Sequence, residues 1–325
     1  MTKTMKAVRI HKYGGPRVLK YEDAPRPEPK EDELLIRVHA AGVNPADWQI
    51  RSGRRSKLKK PFSLILGGDV SGVVEAMGSG VTGFQTGDAV FGIVNTQRGG
   101  AYAEYVTAPV SDIAHKPRSL DHIQAAALPV AALTAWQALF DAGELSAGQK
   151  VLIYAAAGGV GHIAVQLAKW KGAYVMGTAS GHNENFLCRI GVDQFINYKT
   201  TRFENVVRGI DVVLESINRD IHVEAFPGET LERSWGVLKK GGVLVSICAT
   251  PSSETADAYG VRGKHVHMQP NTTQLTEIAR LVDAGFVKPA IDTVFCLKDA
   301  RKAHKLSQKG HTRGKIVLRV IESDI

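Results

Sequence analysis

The 325-residue sequence has only three cysteines, Cys188, Cys248 and Cys296, far apart and without C-x-x-C spacing. That scarcity argues against a disulfide framework and a cysteine-based zinc site, and it fits a reducing compartment. Long apolar runs are also missing, since none reaches the roughly 18 residues that cross a bilayer. The longest, Ala125 to Leu139, is interrupted by Pro129 and Gln137. The N-terminal MTKTMKAVRIHKYGG lacks the apolar segment of a signal peptide, so a cytoplasmic location with no membrane partner is expected. Aromatic residues make up 7% of the chain, and none interleaves with the basic run Arg51 to Lys60 (RSGRRSKLKK). Without rings to stack bases, that run argues against a nucleic-acid partner. A solvated loop, or steering of an anionic ligand by a chain of net charge +9, stays open.

With 44% hydrophobic and 22% charged residues, the chain is long enough for two domains around sizeable cores. Its first 120 or so residues read as β-rich: KAVRIH, ELLIRVHAAGV, SGVVEAMG and DAVFGIV are short runs between Gly, Pro and charged turns. Near Ser119 the pattern turns helical, with a break at Pro129. From Lys150 strand and helix alternate: KVLIYAA, HIAVQLAKWKG, AYVMGTAS, ENFLCRIG, DQFINY, IDVVLES. A helix over ERSWGVLKKGG, the strand VLVSICA and the helix TQLTEIARLVDAG follow. This is the pattern of a parallel sheet covered by helices. The tail GKIVLRVI returns to the early alternation and is expected to pair there. The expected division is 1–122 completed by 288–325, and 123–287, with the site in the cleft between.

The most informative motif follows the strand Val151 to Tyr154. Ala156 to Gly161 (AAGGVG) leads straight into a helix, with Gly158, Gly159, Val160 and Gly161 as the anion-facing residues. Glycine lets the backbone approach a pyrophosphate, and main-chain N–H groups with the helix dipole then face it. Ala156 stands where the general fingerprint has glycine, which requires a negative φ at that position. An NAD site carries Asp or Glu at the end of the second strand. Here that segment is Gly177 to Asn183 (GTASGHN), with no carboxylate before Glu184. A neutral loop in which Ser180 and Asn183 can donate, with His182 or Arg189 nearby, points to NADPH.

These features resemble the zinc-independent quinone oxidoreductases of the medium-chain dehydrogenase/reductase superfamily. The likeness runs through AAGVNPAD (Ala40 to Asp47), GGDVSGVVEAMGSGV (Gly67 to Val81), GDAVFG (Gly87 to Gly92), GAYAEYV (Gly100 to Val106) and LPVAALTAWQAL (Leu128 to Leu139). It continues through the phosphate loop, INY (Ile196 to Tyr198) and HTRGKIVL (His311 to Leu318). It implies an α/β plus β fold: a GroES-like β-barrel catalytic domain with a Rossmann parallel-sheet cofactor domain. The zinc-ligand positions of the superfamily fall on Asn44, Gly68 and Val130, which supply neither thiolate nor imidazole. The pair His265 and His267 has no third ligand in sight. The implied reaction is hydride transfer from NADPH to a quinone or α,β-unsaturated carbonyl, which delocalises the arriving charge without a Lewis acid.

By the same likeness Asn44 stands beside nicotinamide and substrate, Thr134 at the nicotinamide ring, and Tyr198 at the adenosine phosphate end. A turn role for Asn44 and a packing role for Tyr198 are the alternatives. Asp47 reads as structural, because an anion beside an incoming hydride opposes it. Trp48 is either pocket wall or core. Gln49 occupies the place of a tyrosine in many family members. A carboxamide donates a hydrogen bond but gives up no proton, so solvent or a cofactor hydroxyl protonates the product. A homodimer through sheet-edge strands is expected. A 2-enoyl thioester reductase of the same fold, and a structural or RNA-binding protein with little turnover, are the competing readings.

Overall fold

The structure is a computed structural model that describes residues 3–54, 62–96, 98–217 and 230–321. Most of the basic run, Arg55 to Lys60, lies outside the described residues. Two compact units emerge: 1–130 with 270–285 and 289–325, and 131–269 with 286–288.

In the first unit, the alternating runs become strands because alternation places one face inward. They are β1 (Thr4–Ile10), β2 (Lys20–Pro25), β3 (Glu33–Val43), β4 (Leu64–Ile65), β5 (Asp69–Met77), β6 (Ala89–Ile93), β7 (Tyr105–Pro109) and β8 (Ile113–His115). Two helices accompany them, α1 (Pro45–Ser52) and α2 (His122–Ala126). Strand β3 pairs antiparallel with β5 and β7, β5 with β6, and β6 with β8. Leu34, Ile36, Val70, Val74, Val90 and Ile113 form the heart of its core.

Helix α3 (Pro129–Trp136) opens with the proline that breaks the apolar run, a position that needs no N–H donor. A π-helical turn over Gln137–Ala142 ends that run. The second unit then holds β9 (Lys150–Ile153), α4 (Gly161–Trp170), β10 (Tyr174–Ala179), α5 (Glu184–Arg189), β11 (Gln194–Asn197), α6 (Phe203–Val206) and β12 (Ile210–Glu215). Next come α7 (Thr230–Ser234), β13 (Leu238–Ser246), α8 (Ser253–Tyr259) and β14 (Arg262–His265). The six strands lie in the order β11-β10-β9-β12-β13-β14, and every pairing is parallel. This is the Rossmann arrangement, with the strand order reversing beside β9.

One expectation fails in that unit. The helix foreseen over ERSWGVLKKGG stops at Ser234, a 3-10 turn covers Trp235–Val237, and β13 begins at Leu238. Gly241 has φ of +74°, and a side chain on Gly242 would stand 3.0 Å from the Ile210 carbonyl. Those two glycines serve a strand pressed against β12, and no helix runs through them.

The chain then returns to the first unit as α9 (Thr272–Asp283), β15 (Ile291–Cys296), α10 (Ala300–Gln308) and β16 (Lys315–Arg319). Strand β16 lies antiparallel to β3, with Val317 opposite Gly42, as the alternation of the tail predicts. Residues 123–130 and 270–285, grouped above with the second domain, pack with the first instead. The reason lies in contacts between segments far apart along the chain. Asp283 accepts hydrogen bonds from the Arg118 and Ser119 amides, and Thr272 Oγ1 donates to the Ser111 carbonyl.

Arg51 also departs from the solvated-loop reading of its basic run, being only 1% exposed. Its Nε donates to the Gly14 carbonyl at 3.0 Å, Nη2 donates to Gln308 Oε1 at 3.2 Å, and Nη1 stands 3.2 Å from His304 Nδ1. Helix α1 is thereby tied to α10. Arg51→Leu is expected to cost about 2–3 kcal/mol in urea unfolding, because buried hydrogen-bonding groups lose their partner. A loss within about 0.5 kcal/mol would mean that the tie contributes nothing.

The same packing sets an acid response. Burial, then the neighbouring Arg51 charge, pushes His304 down to about 3. Burial, then His39 and Lys116, pushes His122 down to about 4. Both histidines stay neutral in the fold while the unfolded chain protonates them near their ordinary value. Their stabilisation is therefore present above the ordinary histidine range and lost on acidification towards those lower values. Burial moves Asp47 the other way, up to about 6, which opposes part of the loss. Unfolding midpoints should fall between about pH 7.5 and about pH 5, and His304→Gln should flatten that fall. An unchanged midpoint would overturn the assignment.

Candidate active site

In the first unit, three distant segments converge on one buried carboxylate. Asp69, at the start of β5, is fully buried. Its Oδ2 accepts from Asn44 Nδ2 at 2.8 Å and from Lys315 Nζ at 3.2 Å, and its Oδ1 accepts from the Val130 amide at 2.7 Å. Lys315 is 3% exposed and also donates to Asn44 Oδ1 at 2.5 Å. A β-carbon on Gly42 would lie 2.5 Å from Asp69 Oδ2, so the bare backbone of β3 makes the room. The Asn44 main chain is extended, at φ −120° and ψ 154°, as the residue before a proline must be. Pro45 starts α1, and Asp47 Oδ2 accepts the Asn44 amide at 2.8 Å.

Asp47 is buried among hydrogen bonds to its own unit. It caps α1 and takes a second hydrogen bond from the Tyr102 hydroxyl at 3.1 Å. Burial is the main cause that raises its carboxyl. Trp48 is 3% exposed and belongs to the interior of the unit, its Nε1 without a hydrogen-bond partner among the described residues, while Gln49 on the same helix is half-buried. The pair His265 and His267 forms no ligand set, and no group of three or more potential metal ligands occurs among the described residues.

In the second unit, the loop after β9 is built for an anion. The left-handed residue is Ala155, at φ +46°, and Ala156 keeps a negative φ, as its alanine requires. The Ala156 amide donates to the Thr178 carbonyl at 2.9 Å, fixing the loop to β10. The amides of Gly159 and Val160 take no backbone partner among the described residues, so they fit a bound pyrophosphate at the start of α4. A β-carbon on Gly161 would lie 2.3 Å from the Ala155 carbonyl oxygen, which only glycine avoids. On Gly158 the nearest atom would be 3.1 Å away, a milder constraint.

At the end of β10, Ser180 Oγ accepts from Asn183 Nδ2 at 3.2 Å and stands 3.2 Å from His182 Nδ1. The Tyr198 amide donates to the Ala179 carbonyl, which places that tyrosine beside the same loop. Its phenol is half-buried, and burial raises it. Glu184, the first carboxylate of the segment, is exposed on α5. Thr134 is buried on α3.

The structure therefore gathers Ala156 to Gly161 with Ser180, Asn183 and Tyr198, and it gathers Asn44 with Gly68 and Val130. A β-carbon on Gly68 would lie 3.8 Å from Val130 Cγ2. Sequence reasoning missed Asp69 and Lys315. The available signals were the acid within GGDVSG and the lysine opening the strand KIVLR, each at a position that the strand buries.

A barrel-like unit with a buried polar cluster, together with a parallel sheet bearing a dinucleotide loop, defines a nucleotide-dependent oxidoreductase. The comparisons agree. Residues 30–118 match the family model for an alcohol dehydrogenase GroES-like domain, and residues 190–318 match that for a zinc-binding dehydrogenase. Quinone oxidoreductase of Sus scrofa is 33% identical over 97% of this chain and 98% of its own. The solved quinone oxidoreductase of Coxiella burnetii is 38% identical, with a TM-score of 0.89, over 98% of this chain and 100% of its own. Mycobacterial Rv1454c, solved as a complex with NADPH, is 27% identical with a TM-score of 0.86, over 97% and 100%. The chain belongs to the quinone oxidoreductase family of the medium-chain dehydrogenase/reductase superfamily.

One family-model name implies zinc, and the residues here do not fit it. A carboxamide, a hydrogen and an isopropyl group at positions 44, 68 and 130 offer no thiolate or imidazole. On the cofactor side, Gly161→Ala should weaken NADPH binding at least about tenfold and destabilise the fold, because the clash is with backbone. Fluorescence titration with melting curves checks it, and unchanged affinity would sink the loop assignment.

Proposed function

We propose that the protein is an NADPH-dependent reductase that transfers hydride to a quinone or an α,β-unsaturated carbonyl without zinc. The observation that carries this is the Asn44 carboxamide, held by Asp69 and Lys315 at a position that the family resemblance makes a zinc-ligand position. NADPH supplies the hydride when bound. The residues then have two tasks, to orient the acceptor and to stabilise the negative charge that arrives on its oxygen. A carboxamide donor does this for an acceptor that already delocalises charge. Gln49 holds a hydrogen bond and no transferable proton, so the proton that completes the product comes from solvent or a cofactor hydroxyl.

The preference for NADPH is supported by the neutral loop at Ser180, His182 and Asn183 and by the NADPH in the mycobacterial neighbour. The thiols of Cys188 and Cys296 are free, which supports a reducing compartment such as the cytoplasm. The edge position of β14 in its sheet supports a homodimer joined there, which analytical ultracentrifugation checks.

Steady-state oxidation of NADPH by quinones, alkenals and enoyl-CoA esters decides the acceptor, with quinones or alkenals expected to react best. Preference for the thioesters would favour the enoyl reductase reading, and no oxidation with any acceptor would overturn the proposal. NADPH should bind at least about tenfold tighter than NADH. Elemental analysis should find far less than one zinc per chain.

A further inference from the structure

We propose that Lys315 is a positioning residue that turns Asn44 into a hydrogen-bond donor for the acceptor's carbonyl oxygen. A buried lysine–aspartate pair would then take over the charge-stabilising role of a metal. This rests on the reading of Asn44 given above.

A carboxamide has nearly the same shape either way round, so its neighbours decide which end serves as donor. At Asn44 the oxygen accepts from Lys315 and the nitrogen donates to Asp69. Turning the group over would set oxygen against carboxylate and NH2 against ammonium. The ion pair therefore holds one orientation. Asp69 cannot yield, because its other oxygen is bound by the Val130 amide and Gly42 leaves no slack beside it.

A carboxamide carries two N–H bonds. Asn44 uses one on Asp69, and the second has no partner among the described residues. Donation from Lys315 into Oδ1 draws electron density from the nitrogen and strengthens that second donor. As hydride reaches the acceptor its oxygen gains negative charge, and the ammonium stands one hydrogen-bonded group behind. The benefit grows as charge develops, so it belongs in kcat more than in KM.

The test uses the full chain with Lys315→Met, Lys315→Arg, Asn44→Ala and the double variant Asn44→Ala/Lys315→Met. Lys315→Met should lower kcat about 30- to 100-fold with KM within about threefold, and Lys315→Arg should recover most of it. If Lys315 acts through Asn44, the double variant is no slower than Asn44→Ala. Wild-type kcat in Lys315→Met, or losses that multiply in the double variant, would overturn the proposal. Should Lys315→Met fail to fold because Asp69 is left unpaired, Lys315→Met/Asp69→Asn removes both charges and is read in the same way.

Binding of 4-nitrophenolate, an anionic mimic of the reduced acceptor, gives a readout without turnover. The NADP+-loaded wild type should bind it at least about tenfold tighter than Lys315→Met, with NADP+ affinity unchanged. Equal nitrophenolate affinities would overturn the proposal. If the wild type turns over no quinone or enone, the function proposed above fails while the nitrophenolate comparison still decides the role of Lys315.

Discussion

The buried contact among Asn44, Asp69 and Lys315 is the constraint from which the rest of the first unit can be understood. An ion pair in the interior persists only where further hydrogen bonds satisfy both charges. Here those bonds come from the carboxamide of Asn44 and the amide of Val130. Holding the four together requires β3, β5, the start of α3 and the returning strand β16 at fixed register. It also requires a glycine at position 42, where any side chain would strike the carboxylate. The tail of the chain is thus a structural part of the site, and its Lys315 lies 271 residues from Asn44.

The second unit solves a separate problem by separate means. An anion is met by amides that the turn leaves without partners, at the head of a helix whose first residue must be glycine. One strand away lies a short loop of hydroxyl, imidazole and carboxamide groups that contact one another, the loop on which the proposed NADPH preference rests. Nothing in that loop repels a phosphate. Near the phosphate loop a cost falls on backbone, as an alanine at positive φ.

Much of this was legible in the residues. The strand–loop–helix order around Ala156 to Gly161, the missing carboxylate after β10 and the alternation of the tail each announced their structure, because each is a local pattern. The mistaken helix over ERSWGVLKKGG shows the limit. Apolar spacing there suits either helix or strand, and pairing with β12 decided it. Residues 123–130 and 270–285 were misassigned for the same reason, since bonds such as that between Asp283 and Ser119 depend on partners more than a hundred positions away. Arg51, read as part of a solvated basic run, is buried because Gly14, His304 and Gln308 surround it.

The sequence by itself determined the dinucleotide loop, the neutral segment that follows it and the absence of zinc-ligating side chains at 44, 68 and 130. Those are properties of composition and short spacing, which the chain carries whatever its fold. Tertiary structure alone decided the cluster of Asn44, Asp69 and Lys315. Only folding brings the lysine of β16 against the aspartate of β5, since attraction between two buried charges depends on distance and desolvation and leaves no periodic trace along the chain.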